Sequence, residues 1–358
     1  MRVVIRTDSS SLIGFGHVTR CLTLADALSS LGVTIEFVAR AHHGNLNKHI
    51  ESRGYKVHSL PVITEFDLQT SLKGYEKWLG VKQEVDAEET VKTLAGEGVD
   101  LLIIDHYALD QTWEKIVGSN AVYTLVIDDI ANRYHKCNYL LDQNYENKNR
   151  YLKWVNKECT LLLGPSFALL RPEYALYRKK SRKKIISRVM VFFGGVDLDD
   201  LTGEALRALS SPNLDHLEVD IVVSANYECR EVLEELAMAR SRVVIHDSLP
   251  HLAELMSVAD IAIGAGGVSN WERMCLGLPS LVVTVADNQI PISKELHEKG
   301  AIRWLGSRQD VNSNIIRDAL LCEINSLHYI DRINTAYSLC DGKGTNRLVE
   351  ELLPIIES

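Results

Sequence analysis

The chain of 358 residues is 46% hydrophobic and carries 48 Asp and Glu against 39 Lys and Arg, a formal charge of −9. A length about twice that of a usual domain predicts two domains, and an acidic balance without a basic stripe interleaved with aromatics argues against nucleic acid as a partner. Seven cysteines fall singly with no CxxC pair, as expected of reduced thiols, and no run approaches the ~18 apolar residues of a membrane span. The amino terminus, MRVVIRTDSS, is charged within its first six residues and has no apolar signal core, so a cytoplasmic protein is expected.

Taken in chain order, RVVIR, TIEFVA, KVHSL, LLIID, YTLVIDD, YLLD and LLLG read as strands alternating with helical patterns. Continuous apolar strands of this kind predict a parallel sheet covered on both faces. Residues 64–95 lack a clear strand and read as a loop followed by a helix from about Asp86. The basic run YRKKSRKKIISR follows near mid-chain and reads as a solvated interdomain face rather than a membrane or polyanion patch. The pattern then restarts with VMVFF, LEVDIVVS, RVVIH, DIAIG and SLVVTV. The fold class expected is α/β, with two doubly wound Rossmann-like domains, residues 1–172 and 188–358, joined by a linker region 173–187. The ligand belongs at the carboxyl ends of the strands, facing a central cleft, and the last helix is a candidate to pack back on the first domain.

Three glycine-rich loops open helices. In GFGHVTRCLTLADAL, the residues Val18, Cys21, Leu22, Ala25, Leu28 and Leu31 recur at helical spacing up to Gly32, so a helix starts at or near His17 with its first N–H groups facing the ligand side. Gly14 and Gly16 with Thr19 half-match a dinucleotide fingerprint, and Glu36 stands where its ribose acid belongs, yet the third glycine is missing and the approach loop is long. In IGAGGVSNWER, Gly264, Ala265, Gly266 and Gly267 let the backbone approach a phosphate, Ser269 or Asn270 can cap the helix, and Glu272 can accept from ribose hydroxyls. In VFFGGVDLDDLT, Gly194 and Gly195 end a strand, and Asp197 with Asp199 spells a DxD metal pattern that a helix starting near Asp199 explains equally as capping. There is no HExxH pair and no GxSxG elbow, so neither a metal nor a serine nucleophile is expected.

Several stretches, in order, carry a family resemblance. RTDSSSLIGFGHVTRCLTLADAL, IIDHY, VIDDIANRYHKCNYLLDQNY, LLGPSFALLRPEY, VFFGGVDLDDLT, GAGGVSNWERMCLGLPSLVVTVADNQ and DGKGTNRLVEEL resemble the UDP-2,4-diacetamido-2,4,6-trideoxy-β-L-altropyranose hydrolases of pseudaminic acid synthesis. That family is similar in fold to GT-B glycosyltransferases. The resemblance covers most of the chain and weakens over residues 41–100 and 301–335. It implies a metal-independent and cofactor-free reaction in which water attacks the anomeric carbon with inversion and UDP leaves. The free sugar then condenses with phosphoenolpyruvate on the way to flagellin or another surface glycan.

The resemblance matches His17 to the family's catalytic histidine, Tyr107 to its active-site tyrosine, and Asn288, with Gln289 beside it, to an asparagine near the sugar. Physically, a neutral imidazole at a helix amino terminus suits a general base near pH 7. Each residue also has a plain structural reading: His17 as a cap, Tyr107 as an amphipathic ring at a strand end, Asn288 as a turn residue. Asp8 either orients His17 or closes its strand, and Arg20, Gly14 and Gly16 stand with it as substrate-binding candidates. The diphosphate is expected on Gly264 to Gly267 and the ribose on Glu272. The rival functions are a GT-B glycosyltransferase with a sugar or lipid acceptor and a catalytically silent nucleotide-sugar sensor. The expected partner is a UDP-sugar alone, with no membrane or nucleic acid, and the chain is expected to be a monomer.

Overall fold

The computed structural model describes residues 1–62, 72–94, 96, 98–178, 182, 185–225, 227–247 and 249–356. The chain divides into two compact units, residues 1–169 with 344–358, and residues 170–343.

The first unit is built on seven parallel strands: β1 (Arg2–Thr7), β2 (Thr34–Arg40), β3 (Lys56–Leu60), β4 (Val99–Asp105), β5 (Ala121–Ile127), β6 (Tyr139–Asp142) and β7 (Thr160–Leu163). Their order is β3-β2-β1-β4-β5-β6-β7. Val3, Val4 and Ile5 of β1 are all fully buried, as a central strand covered on both faces requires. On one face lies the helix Gly16–Ser29, which buries Val18, Cys21, Leu22, Ala25 and Leu28. Leu31 falls beyond the helix end and is exposed, because the chain turns through Gly32 at φ +79°. The helix Gly344–Ile356 joins the same core through Leu348, Leu352 and Ile355.

Of the segment 64–95, positions 64–71 and 95 lie outside the described residues. The rest forms two helices, Glu76–Leu79 and Gln83–Leu94, the second beginning three residues ahead of Asp86. Asp86 is fully buried and accepts from Arg6 Nη2 at 2.6 Å, Arg40 Nη2 at 2.7 Å and the Trp113 indole at 2.9 Å. Charge, more than an apolar stripe, ties this helix to the sheet, which is why its amphipathic pattern is faint.

The second unit is a six-stranded parallel sheet of β8 (Arg188–Phe192), β9 (Glu218–Val223), β10 (Val243–Asp247), β11 (Ile261–Ala265), β12 (Ser280–Thr284) and β13 (Arg303–Ser307), in the order β10-β9-β8-β11-β12-β13. Five of these strands coincide with the apolar runs. The sixth, β13, is an edge strand of half-buried residues and carries no such run.

The basic run departs from its expected solvated state. Arg178 donates to the carbonyls of Cys275 (2.6 Å), Cys340 (2.7 Å) and Tyr337 (2.8 Å). Arg182 donates to those of Leu276 (2.6 Å), Met256 (2.5 Å) and Ala259. Both guanidiniums therefore staple helix ends and turns inside the second unit, while positions 179–181, 183 and 184 lie outside the described residues. The acids of the third glycine loop are also engaged. Asp197 accepts from the Leu201 and Thr202 N–H groups, Asp200 caps the helix Leu201–Leu209 through Gly203 N–H, and Asp199 pairs with Arg308.

Candidate active site

In a doubly wound sheet, ligands bind outside the carboxyl ends of strands where the order reverses. In the first unit that point lies between β1 and β4, and in the second between β8 and β11. The loop after β1 carries His17, β4 ends in Asp105 and leads to Tyr107, and β5 leads to Asp128 and Asp129. Topology thus brings together residues far apart in sequence.

His17 stands at the second position of its helix and is nine-tenths buried. Its Nδ1 lies 2.6 Å from Asp105 Oδ1. Burial alone would raise the Asp105 carboxyl, but Arg20 and His17 outweigh it and hold it well below the usual carboxylate range. An ionised carboxylate only accepts, so Nδ1 carries the ring proton and Nε2 keeps the lone pair. Arg20 Nη2 is 3.3 Å from the same nitrogen, but it donates to Asp105 Oδ1 at 2.6 Å, with Nε on Oδ2 at 2.7 Å.

Tyr107 packs edge-on against His17, with ring centroids 4.7 Å apart, and donates its hydroxyl to Asp129 Oδ1 at 2.5 Å. Burial and then Asp129 push this phenol well above its ordinary pKa, so it stays neutral. Asn144 Nδ2 donates to the other Asp129 oxygen at 3.0 Å, and Arg20 Nη1 reaches that oxygen at 3.5 Å. One polar chain therefore runs from His17 through Asp105, Arg20 and Asp129 to Tyr107.

Asp8 and Arg20, both candidates from the sequence, are engaged within the protein. Asp8 does not hold His17. It accepts from both Nη atoms of Arg6 at 2.6 and 2.9 Å and from the Arg40 backbone N–H at 2.7 Å. His106 Nε2 lies 3.5 Å from its other side, and burial lowers that imidazole to about 3, so it is neutral. Arg20 is 3% exposed with its guanidinium fixed on Asp105, so it braces the carboxylate behind the histidine.

In the second unit, Gly194 (φ +102°) and Gly195 follow β8, beside the glycine loop that follows β11. Gly264 lies within β11, where a Cβ would stand 2.2 Å from the Phe192 carbonyl oxygen, so strand packing itself demands glycine there. After Ala265, Gly266 and Gly267 face Gln289, whose side chain would meet an added Cβ at 3.0 and 3.4 Å respectively. Gln289 is held by the Val285 N–H on its Oε1 at 3.0 Å. Gly267 (φ +85°) leads into the helix Val268–Cys275, which has no side-chain cap. Neither Ser269 nor Asn270 plays that part. Asn270 Oδ1 instead receives Arg273 Nη2 at 2.6 Å, and the same nitrogen reaches the Ala265 carbonyl at 2.7 Å. Burial lowers this guanidinium to about 10. Burial also raises the Glu272 carboxyl, against hydrogen bonds from Tyr174 and Ser269. Asn288 stands at the start of the helix Gln289–Glu298 without capping it.

The structure thus gathers His17, Arg20 and Tyr107 in the first unit, and Gly266, Gly267 and Gln289 in the second. Asp105, Asp129, Tyr75 and Trp78 were not singled out from the sequence. An acid closing a buried apolar strand, as in LLIID and VIDD, is the signal for the first two.

Comparison with solved structures defines the architecture. The chain has the two-sheet α/β arrangement of GT-B glycosyltransferases. It matches MurG of Acinetobacter baumannii with a TM-score of 0.63 at 14% identity, over 99% of both chains. Against the spinosyn rhamnosyltransferase SpnG the TM-score is 0.64 at 15% identity, over 98% of this chain and 100% of that one. No model of a protein family matches the chain. Among curated proteins, it is 25% identical over 302 residues to the UDP-2,4-diacetamido-2,4,6-trideoxy-β-L-altropyranose hydrolase of Campylobacter jejuni, covering 84% of this chain and 97% of that protein. It is 26% identical over 209 residues to the spore coat polysaccharide biosynthesis protein SpsG of Bacillus subtilis, covering 55% of this chain and 57% of that one. An uncharacterized Methanocaldococcus jannaschii protein is 25% identical over 79% of this chain, which spans only 55% of that relative's length. Among the described residues, no helix is long and apolar enough to cross a membrane.

Proposed function

We propose that this chain hydrolyses a UDP-sugar, UDP-2,4-diacetamido-2,4,6-trideoxy-β-L-altropyranose, releasing UDP and the free 2,4-diacetamido-2,4,6-trideoxy-L-altrose. The observation that carries the reading is the His17 and Asp105 pair at the β1 and β4 carboxyl ends, a base with its proton fixed on the far nitrogen. The likeness to the Campylobacter hydrolase supplies the substrate. His17 Nε2 takes a proton from water as the water oxygen bonds to the anomeric carbon. The bond from that carbon to the diphosphate oxygen breaks with inversion, and its electron pair leaves with UDP. The imidazolium so formed is stabilised by Asp105, while the neutral Tyr107 oxygen accepts from the water or sugar. Asn288 and Gln289 bond the sugar's amides and hydroxyls. N–H groups of the Gly264 to Gly267 loop, with Gly194 and Gly195, meet the charge growing on the diphosphate, and Glu272 accepts from the ribose. No metal enters these steps. In this reading the enzyme is a cytoplasmic monomer whose product condenses with phosphoenolpyruvate on the way to a surface glycan.

The rhamnosyltransferase among the similar folds favours a second reading, transfer of the sugar to an acceptor other than water. Incubation with the UDP-sugar and chelator, without acceptor, separates the two. UDP release with an inverted free sugar by NMR supports hydrolysis, and silence until an acceptor is added supports transfer. His17→Asn is expected to lower UDP release by ~10²–10⁴-fold while UDP still binds.

A further inference from the structure

Three aromatic rings, Tyr75, Trp78 and Tyr107, cluster beside His17, and two of them come from the stretch whose sequence pattern is faintest. Trp78 lies with its ring centroid 6.1 Å from that of His17 and 5.6 Å from that of Tyr107. Tyr75 packs at 4.8 Å on Trp78 and 5.1 Å on Tyr107. The short helix Glu76–Leu79 that carries Trp78 is anchored by the fully buried Leu79 and ends at Gly80, which turns through φ +78° beside the His42 ring. Trp78 and Tyr75 themselves are only half-buried. Tyr107 is more deeply buried against them, so the indole and the Tyr75 phenol supply most of the exposed ring surface of the cluster.

The reaction fixes what such rings must touch. A water within about 3 Å of the imidazole and about 3–3.5 Å of the anomeric carbon puts that carbon within roughly 6 Å of His17. The Trp78 ring centroid is 6.1 Å from that of His17, which puts these rings within contact range of a sugar brought to the base. An aromatic face is only a weak acceptor for a hydroxyl, and a hydroxyl pressed on it gives up stronger bonds to water. A methyl group or an acetyl methyl gains by the same burial. A 2,4-diacetamido-2,4,6-trideoxy sugar carries a methyl in place of the C6 hydroxymethyl group and acetamides in place of two hydroxyls.

We propose that Trp78 and Tyr75 form the apolar wall of the sugar subsite and select 6-deoxy, acetamido-bearing sugars over hydroxylated hexoses. This rests on the UDP-sugar reading of the site. The test measures dissociation constants in the His17→Asn background, where turnover is slow, for the diacetamido UDP-sugar, UDP-N-acetylglucosamine and UDP. Trp78→Ala is expected to weaken the diacetamido sugar about 10- to 100-fold and the other two less than about threefold, while Trp78→Phe keeps most of the preference. Tyr75→Ser, a milder change checked by circular dichroism, is expected to shift the ratio in the same direction. Equal weakening of both sugars, or an unchanged ratio in both variants, overturns the wall. Absence of UDP release by the unmodified protein overturns hydrolysis instead, and a preference lost with Trp78 then still supports the wall.

Discussion

His17 and Asp105 stand 88 positions apart in the chain and share one short hydrogen bond, Nδ1 to Oδ1 at 2.6 Å. The bond exists because β1 pairs directly with β4, with Thr7 opposite Asp105 in the register. It fixes the imidazole tautomer, and Arg20 fixes the carboxylate in turn.

Asp105→Asn keeps the size of the side chain but removes the charge that holds the Nδ1 proton. Turnover is expected to fall by about 10²–10⁴-fold with UDP affinity changed by less than about twofold, because Asp105 acts through His17. The buried Arg20 loses its partner as well, at a cost of about 3–5 kcal/mol. UDP release, UDP titration and a thermal melt check the three parts, and full turnover in the variant would remove Asp105 from the mechanism.

Arg182→Met deletes the donors to the Leu276, Met256 and Ala259 carbonyls. The expected loss is about 2–4 kcal/mol of stability in the second unit, with UDP release unchanged below the melting temperature. Urea unfolding that matches the parent protein would return this arginine to the solvated role its sequence context suggests.

Gly264→Ala and Gly14→Ala separate two uses of glycine. The first drives a Cβ to 2.2 Å from a backbone oxygen of the paired strand β8, whereas the second meets open space at φ +79°. Gly264→Ala is expected to cost about 3 kcal/mol or more and Gly14→Ala about 1 kcal/mol. Similar melting temperatures for the two variants would contradict the close contact.

Asp142, fully buried at the end of β6, has its carboxyl raised to about 8 by burial and then by Asp129, against bonds from Asn144 N–H and the Tyr151 hydroxyl. The folded protein keeps this proton between roughly pH 4 and pH 8, where the unfolded chain has lost it. Its contribution to stability therefore falls as pH rises through that window and levels off above about 8. Asp142→Asn is expected to gain on the parent protein with rising pH, by at most about 1.4 kcal/mol per unit. Parallel stability curves from urea melts at about pH 5 and about pH 8 would contradict this.

The strands were legible because buried parallel strands are continuous apolar runs, and β13 was not because it sits half-buried at an edge. The helix Gln83–Leu94 was only partly legible, since its anchor is a carboxylate between two arginines and not a stripe. In the site, His17 and Tyr107 stood out by motif, yet their partners depend on which strands are neighbours. Nearness in sequence pointed to Asp8, nine positions away, whereas the sheet order delivers Asp105. Arg20 was visible but its buried partner was not, because a basic residue beside a glycine loop looks the same whether it faces a ligand or a buried acid.

The return of the helix Gly344–Ile356 to the first unit sets an order of events during synthesis. Residues 170–343 are contiguous, so the chain of the second unit is complete before residues 344–356 are made. The first unit, though translated earlier, lacks Leu348, Leu352 and Ile355 of its core until residues 344–356 emerge. The unit translated earlier is therefore the later to complete its core, the reverse of the usual amino-terminal-first sequence. His17, the proposed base, is carried by the helix Gly16–Ser29, whose core Leu348, Leu352 and Ile355 complete, so its seat is finished only once residues from far along the chain are in place.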